Sequence, residues 1–356
     1  MHRLDDRSPI IASVIVPVYN GMATIVQCLT ALSQQTLSPT QYEVIVVDDG
    51  STDATDTTVL DWCKANPTLR CKLIRQTNQG PAAARNRGAQ ISQGELLLFT
   101  DADCRPVANW IETLVAAFGL LPRENEPRAT DSEVVAVMGT YRCEQPSHAA
   151  QFAQLEFEER YAHMRHRAQI DVVATYSAAF RRSVFCDVKG FDPSFPKANN
   201  EDVELSYRLS ELGYRMIFVP DAVVYHPHST TWWAYAQTKL GRAYWRTIVY
   251  KRYPHKALKD SYTPQILKIQ ILLAPFCLLG LCWFVLSRQP MGLFAVLPFL
   301  LTTLPMVRFA LQQGKPWLAL WTPWGLWLRS IVFAVGVATA VFQGSRVAQP
   351  TESMQP

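Results

Sequence analysis

The chain has 356 residues, which is too long for one average domain and leaves room for a catalytic domain with an appendage. Its formal net charge of +4 is too small to indicate nucleic-acid binding, so we expect no nucleic-acid partner. Charged residues are concentrated in residues 1–260, and the remainder is rich in Leu, Phe, Trp, Val and Ala. We therefore expect a polar domain followed by a membrane-associated segment.

The cysteines and the N-terminus both indicate a cytosolic location. Eight cysteines are scattered along the chain, and none forms a Cys-x-x-Cys pair or a Cys/His cluster with zinc spacing. This pattern is typical of free thiols in a reducing compartment. Residues 1–9 are polar and charged with no long apolar stretch behind them, so we expect no signal peptide and a cytosolic N-terminal part.

The first part of the chain alternates short β-branched runs with segments of helical periodicity. We predict strands at 13–18, 43–47, 72–75, 95–100 and 134–138, and helices at 22–35, from a cap at Thr52 or Asp53 to about residue 64, and at 81–91. Such alternation indicates a parallel sheet with helices on both faces. The predicted fold class is therefore α/β, with a Rossmann-like, mostly parallel sheet followed by C-terminal transmembrane helices.

Polar residues follow three of the predicted strands. Tyr19 follows the first strand, Asp48 and Asp49 end the second, and Asp101 and Asp103 end the fourth. Because ligands of open α/β sheets bind beyond the carboxyl ends of the strands, these side chains predict a binding site at that edge.

A further pair of acids opens a predicted helix near residue 200. Asn199 or Asn200 can cap this helix, and Gly213 ends it. Its apolar stripe consists of Leu205, Leu209 and Leu212. Glu201 and Asp202 in the first turn interact favourably with the helix dipole, and the same position keeps a carboxylate ionised for use as a base.

Three apolar segments make up the C-terminal part. Residues 266–286 and 291–310 have the length of membrane-spanning helices and are separated by a short turn, so we predict a helical hairpin. The third segment, 317–342, is interrupted by Arg329 and begins with Trp317, Trp321, Trp324 and Trp327. We expect an interfacial helix that runs into a shorter spanning segment, and the number of spans, two or three, stays open.

The segment before the hairpin, residues 232–259, mixes aromatic residues with lysines and arginines. This composition is typical of an amphipathic surface helix or of a helix that lies on anionic lipid. Because loops on the cytosolic side are enriched in Lys and Arg, its charge predicts that residues 1–265 lie in the cytosol.

Short motifs along residues 11–230 resemble those of the family-2 glycosyltransferases, which have the GT-A fold. They are Val16-Pro17-Val18-Tyr19-Asn20, Val47-Asp48-Asp49-Gly50-Ser51, Asn78-Gln79-Gly80-Pro81, Ala84-Arg85-Asn86-Arg87-Gly88, Thr100-Asp101-Ala102-Asp103, Gly190-Phe191-Asp192 and Asn200-Glu201-Asp202. The resemblance implies a GT-A domain over 1–230, a basic and aromatic interfacial region over 231–265, and a membrane anchor of two or three helices over 266–345.

The resemblance also implies the residues that bind a nucleotide-sugar donor, a UDP- or GDP-sugar. Pro17 and Tyr19 would lie beside the base, and either Asp48 or Asp49, with a preference for Asp49, would accept hydrogen bonds from the nucleoside. Arg85 and Arg87 do not share a helix face, so one of them would meet the diphosphate while the other is solvated. The resemblance favours Arg85.

The metal and catalytic residues follow from the same resemblance. In the Asp-x-Asp motif, Asp103 would bind Mg²⁺ or Mn²⁺, with Asp101 contacting the ribose or the metal. His226 is either a further metal ligand or a packed core histidine. Asp202 would be the base that deprotonates an acceptor hydroxyl in an inverting reaction, with Glu201 supporting it.

The predicted function is metal-dependent transfer of a sugar to a lipid-linked acceptor in cell-envelope or exopolysaccharide synthesis at the bacterial inner membrane. Residues 141–200, including Tyr176 to Phe180, would contribute to acceptor specificity. A processive polysaccharide synthase is an alternative, although the chain lacks a Gln-x-x-Arg-Trp motif. A nucleotidyltransferase is a second alternative, but it would carry a glycine-rich phosphate loop near the N-terminus, where this chain has Val16-Pro17-Val18-Tyr19-Asn20. A non-catalytic membrane subunit is disfavoured by the retained acids.

Overall fold

The computed structural model describes residues 9–121, 134–195 and 199–343. The chain divides into two compact units: the first comprises residues 1–144 and 164–227, and the second comprises 145–163 and 228–356. The segment 145–163 thus clusters with the C-terminal part of the chain.

The elements are numbered in chain order. The strands are β1 (Ala12–Val18), β2 (Tyr42–Asp48), β3 (Cys71–Arg75), β4 (Leu96–Phe99), β5 (Arg105–Pro106), β6 (Val134–Arg142), β7 (Ala178–Arg181) and β8 (Arg215–Tyr225). The helices are α1 (Ile25–Ser33), α2 (Thr55–Ala65), α3 (Pro81–Ile91), α4 (Trp110–Ala117), α5 (His148–Met164), α6 (Arg182–Asp187), α7 (Glu201–Glu211), α8 (Trp232–Arg252), α9 (Pro254–Leu258), α10 (Ile266–Ser287), α11 (Met291–Phe294), α12 (Leu297–Gln312) and α13 (Pro316–Phe342).

The first unit is built on one eight-stranded sheet with the order β3-β2-β1-β4-β7-β6-β8-β5. Strands β3, β2, β1 and β4 run parallel, as the strand–helix alternation predicts, and β6 pairs in parallel with β8. Strand β7 is antiparallel to both β4 and β6, and β5 is antiparallel to β8. The predicted α/β class is confirmed, with a parallel half and a mixed half.

Burial explains why the parallel half forms. Every residue of β2 is buried, and β1 is buried except for the partly exposed Pro17. Helix α3 packs closely on this core, because a Cβ added at Gly88 would lie 2.5 Å from a methyl group of Ile15. Continuous apolar strands covered by helices are typical of parallel sheets.

Neither of two predicted helix caps makes a side-chain capping hydrogen bond, although Asn200 does occupy the N-cap position of α7. Helix α2 begins at Thr55 after Ala54, and the Asp53 carboxylate accepts hydrogen bonds from the backbone and hydroxyl of Thr55 without capping the helix. Asn200 precedes α7 with φ of 66°, and its side chain makes no capping hydrogen bond. A side-chain cap needs an extended backbone, which the left-handed conformation of Asn200 precludes. Leu212, predicted in the apolar stripe, is exposed.

The second unit contains the apolar helices. Within the described residues, three helices are long and apolar enough to cross a membrane: Ile266–Ser287, Met291–Gln312 and Pro316–Phe342. The first two correspond to the predicted hairpin. The third is one continuous helix of 27 residues, and the number of spans stays open. Arg329 is compatible with a continuous helix because it is buried and paired with the Glu156 carboxylate.

The basic segment before the hairpin forms α8, a helix as predicted. One of its cations is unavailable to lipid, because the Lys239 ammonium is buried and lies 2.6 Å from a carboxylate oxygen of Glu156. The unit's hydrophobic core includes Phe152, Leu155, Tyr235, Ala274, Cys277, Phe299, Met306, Leu318 and Leu326.

Candidate functional site

The loops after β1 and β2 are tied together at the carboxyl edge of the sheet. The backbone N–H of Asn20 donates to the Ser51 hydroxyl over 2.8 Å, and the Asn20 side-chain oxygen accepts from the backbone N–H of Thr52 over 2.8 Å. Asn20 adopts φ of 53°, which its short polar side chain tolerates. Tyr19 beside it is 52% exposed, so its ring offers a surface at the edge where ligands of such sheets bind.

Asp48 is buried at the end of β2 and is held by protein groups. Its Oδ1 accepts from the backbone N–H of Ser51 over 2.9 Å, and its Oδ2 lies 3.4 Å from the Nε of Arg75. These contacts fix the turn that follows the strand.

Asp49 links the end of β2 to the start of α3. Its carboxylate accepts hydrogen bonds from the side chain of Gln76 over 2.8 Å and from the backbone N–H groups of Gln79 and Gly80 over 2.9 and 2.8 Å. Gly50 makes this close approach possible, because it adopts φ of 78° and an added Cβ would lie 2.9 Å from the Asn78 nitrogen. Asp49 therefore orders the loop that precedes α3.

Arg85 on α3 lies at the centre of the site. Its guanidinium is buried and donates to Glu201 Oε1 over 2.7 Å and to Asp101 Oδ1 over 2.8 Å. Burial acts against the charged form, but the two carboxylates outweigh it and raise the pKa of Arg85. Arg87 is exposed and contacts Gln90 at 3.4 Å. The two arginines therefore lie in different surroundings, and the contact of Arg85 with a diphosphate stays a prediction.

Glu201 and Asp202 lie in the first turn of α7. Burial raises the pKa of Glu201 to about 7, with Asp202 adding to the rise and Arg85 opposing it. Asp202 is partly exposed, and its Oδ1 accepts from the backbone N–H of Val203 over 2.8 Å. The two neighbouring carboxyls thus differ: Glu201 is enclosed with Arg85, and Asp202 is accessible to solvent.

A second cluster lies beside Asp101. Ligand atoms of Asp101, Asp103, Cys104 and His226 all lie within 4.8 Å of one another. His226 follows β8, its Nε2 is 3.7 Å from Asp103 Oδ2, and its ring stacks on Tyr141 with centroids 5.1 Å apart. Burial raises the pKa of Asp103, and the Asp101 charge adds to the rise while His226 opposes it. Sequence reasoning missed Cys104, whose only signal was its position directly after the motif.

The donors of this cluster suit a divalent cation. Carboxylate oxygens are the ligands that Mg²⁺ and Mn²⁺ prefer, and an imidazole nitrogen can complete such a set. One oxygen of Asp101 is used by Arg85, which leaves its other oxygen for a metal. Burial raises the pKa of the Cys104 thiol, and sulfur ligands suit softer metals than Mg²⁺ or Mn²⁺. The fitting set is Asp101, Asp103 and His226.

The segment Tyr176 to Phe180 reaches the same region. The Tyr176 ring packs edge-on against the Tyr141 ring, with centroids 4.0 Å apart. The Tyr141 ring also stacks with the His226 ring. The Thr100 hydroxyl donates to the Tyr176 carbonyl over 2.9 Å, at the end of β4. The structure therefore brings this segment beside the metal-ligand cluster.

Two family models match the chain. The model described as Glycosyl transferase family 2 matches residues 13–187, and the model described as Glycosyl transferase family group 2 matches residues 130–342. The second match covers more than half of the chain and includes the Glu201–Asp202 pair, His226 and the apolar helices.

Curated relatives match over about three fifths of the chain. Glycosyltransferase AglE of Haloferax volcanii is 31% identical over 218 residues, which cover 60% of this chain and 66% of that protein. Validoxylamine A glucosyltransferase of Streptomyces hygroscopicus subsp. limoneus is 30% identical over 227 residues, covering 57% and 49%. The chain thus spans about half to two thirds of the length of these relatives.

A solved structure extends the likeness to nearly the whole chain. The mannosyltransferase PcManGT from Pyrobaculum calidifontis, in complex with GDP-Man and Mn²⁺, superposes with a TM-score of 0.60 at 23% identity, over 95% of this chain and 89% of that one. This likeness confirms the GT-A fold that the sequence motifs implied. The family matches show that the chain belongs to glycosyltransferase family 2.

Proposed function

We propose that this protein transfers a sugar, with inversion, from a nucleoside-diphosphate sugar to an acceptor hydroxyl. The observation that carries the proposal is the continuous group of charged side chains in the first unit. Asp103, Asp101, Arg85 and Glu201 follow one another through contacts, and Asp202 adjoins Glu201 in the first turn of α7. This arrangement offers a metal-ligand set next to an accessible carboxylate.

The donor would bind at the carboxyl edge of the parallel strands. The exposed Tyr19 ring and the partly exposed Pro17 supply an apolar surface for the base, next to the Asp48–Asp49 turn. Asp48 and Asp49 order that turn through their own hydrogen bonds. They would therefore contribute to nucleoside binding chiefly by fixing the shape of the turn. The fold neighbour was solved with GDP-Man, which supports a nucleoside-diphosphate sugar as donor, and we keep both a GDP-sugar and a UDP-sugar as candidates.

Asp101, Asp103 and His226 would hold Mn²⁺ or Mg²⁺. Such an ion, when bound, offsets the charge of the diphosphate and stabilises it as a leaving group. Arg85 would hold one Asp101 oxygen in place and so direct the other toward the ion. Enclosed with two carboxylates, Arg85 acts on the diphosphate through Asp101 more than by direct contact.

Asp202 is the proposed base. The acceptor oxygen attacks the anomeric carbon, the bond from that carbon to the diphosphate oxygen breaks, and the hydroxyl proton passes to the Asp202 carboxylate. Solvent access keeps this carboxylate available to an acceptor, and the amino-terminal end of α7 favours its charged form. Glu201 supports the site through its ion pair with Arg85.

The acceptor is proposed to be lipid-linked, and the reaction to belong to cell-envelope or exopolysaccharide synthesis at the bacterial inner membrane, with the catalytic unit on the cytosolic side. The apolar helices of the second unit support this proposal. A membrane anchor raises the effective concentration of an acceptor that is confined to the same surface.

A donor panel tests the proposal. Membranes containing the full chain are incubated with UDP- and GDP-sugars and lipid extract, with and without Mn²⁺ or Mg²⁺, and released nucleoside diphosphate is measured. We expect release from one donor that requires metal and is lost in Asp103→Asn and in Asp202→Asn. Absence of release from every donor would instead support a non-catalytic subunit, and a polymeric product would support a processive synthase.

A further inference from the structure

Helix α13 is apolar enough to cross a membrane, and it packs on the apolar helices α10 and α12, but it also packs along the basic helix α8. We infer that α13 lies along the membrane surface beside α8, and that only the hairpin of α10 and α11–α12 crosses the bilayer. The inference rests on the membrane attachment proposed above and is independent of the transferase activity.

Helix α8 runs beside α13 in the same direction. Near the start of α8, the ring centroids of Trp232 and Trp324 are 4.4 Å apart. Further along, Gly336 lies against the α8 backbone, since an added Cβ would be 2.9 Å from the Leu240 carbonyl oxygen. Near the end of α8, the Lys251 ammonium donates to the Ala340 carbonyl over 2.8 Å. The contact therefore extends over almost all of α8.

Helices in side-by-side contact share the same depth in a membrane. The contacted part of α8, residues 232–251, is about 28 Å long, close to the thickness of the hydrocarbon core. If α13 crossed the bilayer, α8 would cross with it and carry Lys239, Arg242 and Arg246 through the core. Charged side chains are costly there, and α8 is not among the apolar helices of the described residues.

Both ends of α13 contact polar residues of helices other than the spanning candidates. At its start, the Lys315 ammonium lies 3.3 Å from Glu158, and the Trp317 ring lies 5.1 Å from the His148 ring, both on α5. At its end it meets Lys251 of α8. A helix that crossed the bilayer would require α5 or α8 to supply polar groups on the far side.

The centre of α13 is level with the start of α10. Arg329, midway along α13, donates to Glu156 over 2.8 Å and to the Gln270 side chain over 2.6 Å. Gln270 is only about 6 Å from the amino-terminal end of α10. Two helices that both crossed the bilayer would instead meet near their midpoints.

One face of α13 remains exposed and apolar, and the other is buried against α5, α8, α10 and α12. The exposed stripe consists of Trp317, Leu320, Trp321, Trp324, Val335 and Phe342, and Val341 is exposed outside it. The spacing of the stripe residues, by three, four or seven residues or sums of these, follows one side of a helix. An apolar stripe rich in tryptophan fits the boundary between headgroups and acyl chains. The occupant of this face is therefore the lipid surface.

Membrane depth measured by spin labelling tests the inference. The exposed Cys186 and Cys282 are first replaced by serine, and a nitroxide is then placed singly by Leu320→Cys, Val335→Cys or Phe342→Cys in the full chain in vesicles. Relative accessibility to oxygen and to a water-soluble nickel complex reports depth. We expect one shared depth for the three labels, just below the headgroups.

Matched labels on α10 calibrate the measurement. Leu272→Cys, Leu279→Cys and Leu286→Cys lie at exposed positions of α10 and should report depths that change by about 21 Å along the helix. A comparable gradient along α13, with Leu320 and Phe342 on opposite sides of the bilayer, would overturn the inference. A reporter fused after residue 356 gives a second reading: it should lie on the same side as residue 264, and the opposite side would also overturn it.

Discussion

The ion pairs of Arg85 give the sharpest test of how the site is held together. Arg85→Met keeps an unbranched apolar stem and removes the guanidinium and its charge, so the buried Glu201 carboxyl loses its partner and Asp101 loses one contact. Breaking a buried pair costs about 3–5 kcal/mol. We expect a cost at the lower end of this range. Asp101 is 31% exposed, and Glu201 can take up a proton because its pKa is already about 7.

For a unit of this size, about 3 kcal/mol corresponds to a fall in Tm of about 6–12 °C. The assay is thermal unfolding of the full chain in detergent, followed by intrinsic fluorescence. Arg87→Met is the matched control, because Arg87 is exposed on the same helix, and we expect a change within about 0.5 kcal/mol. Equal Tm values for the two variants would refute the view that Arg85 links Asp101 to Glu201.

Three further predictions follow from named contacts. His226→Ala should raise the Mn²⁺ concentration needed for half-maximal donor binding by about 10- to 100-fold, measured by titration calorimetry, and an unchanged requirement would remove His226 from the ligand set. The pKa of Glu201 in the folded protein is raised to about 7. The protonated carboxyl therefore contributes stability at pH values below the ordinary pKa of a glutamate, and this contribution is lost as the pH rises through 7. The Tm advantage of wild type over Glu201→Gln should therefore shrink as pH rises from 4.5 to 7, and a constant difference would contradict this. Glu156→Gln leaves Lys239 and Arg329 without their counter-charge and should cost about 3–5 kcal/mol in thermal unfolding, whereas a cost near zero would contradict a buried pair.

Local sequence signals predicted the parallel half of the sheet and helix α3 well. The helix begins at Pro81 and ends at Ile91 as predicted, because proline suits the first turn and the apolar spacing continues to Ile91. Helix caps were predicted less well, since backbone conformation decides whether a side chain reaches the first turn. Asn200 adopts a left-handed conformation that composition does not reveal.

The contacts that build the site were beyond local reasoning. Arg85 and Glu201 are 116 positions apart, and no pattern in either segment specifies their ion pair. The antiparallel entry of β7 likewise depends on its pairing with both β4 and β6. For Arg329, the sequence indicated only a charge within an apolar run, whereas the structure supplies Glu156 from a helix far away in the chain.

The central claim is that Asp202 serves as the base of a metal-dependent sugar transfer. Its most direct test is transfer of radiolabelled sugar from the active donor into the organic-extractable fraction of membranes, comparing wild type with Asp202→Asn, while donor binding is measured on the same preparations. We predict that Asp202→Asn binds donor and metal as wild type does and transfers no label. Transfer at the wild-type rate by Asp202→Asn would contradict the claim.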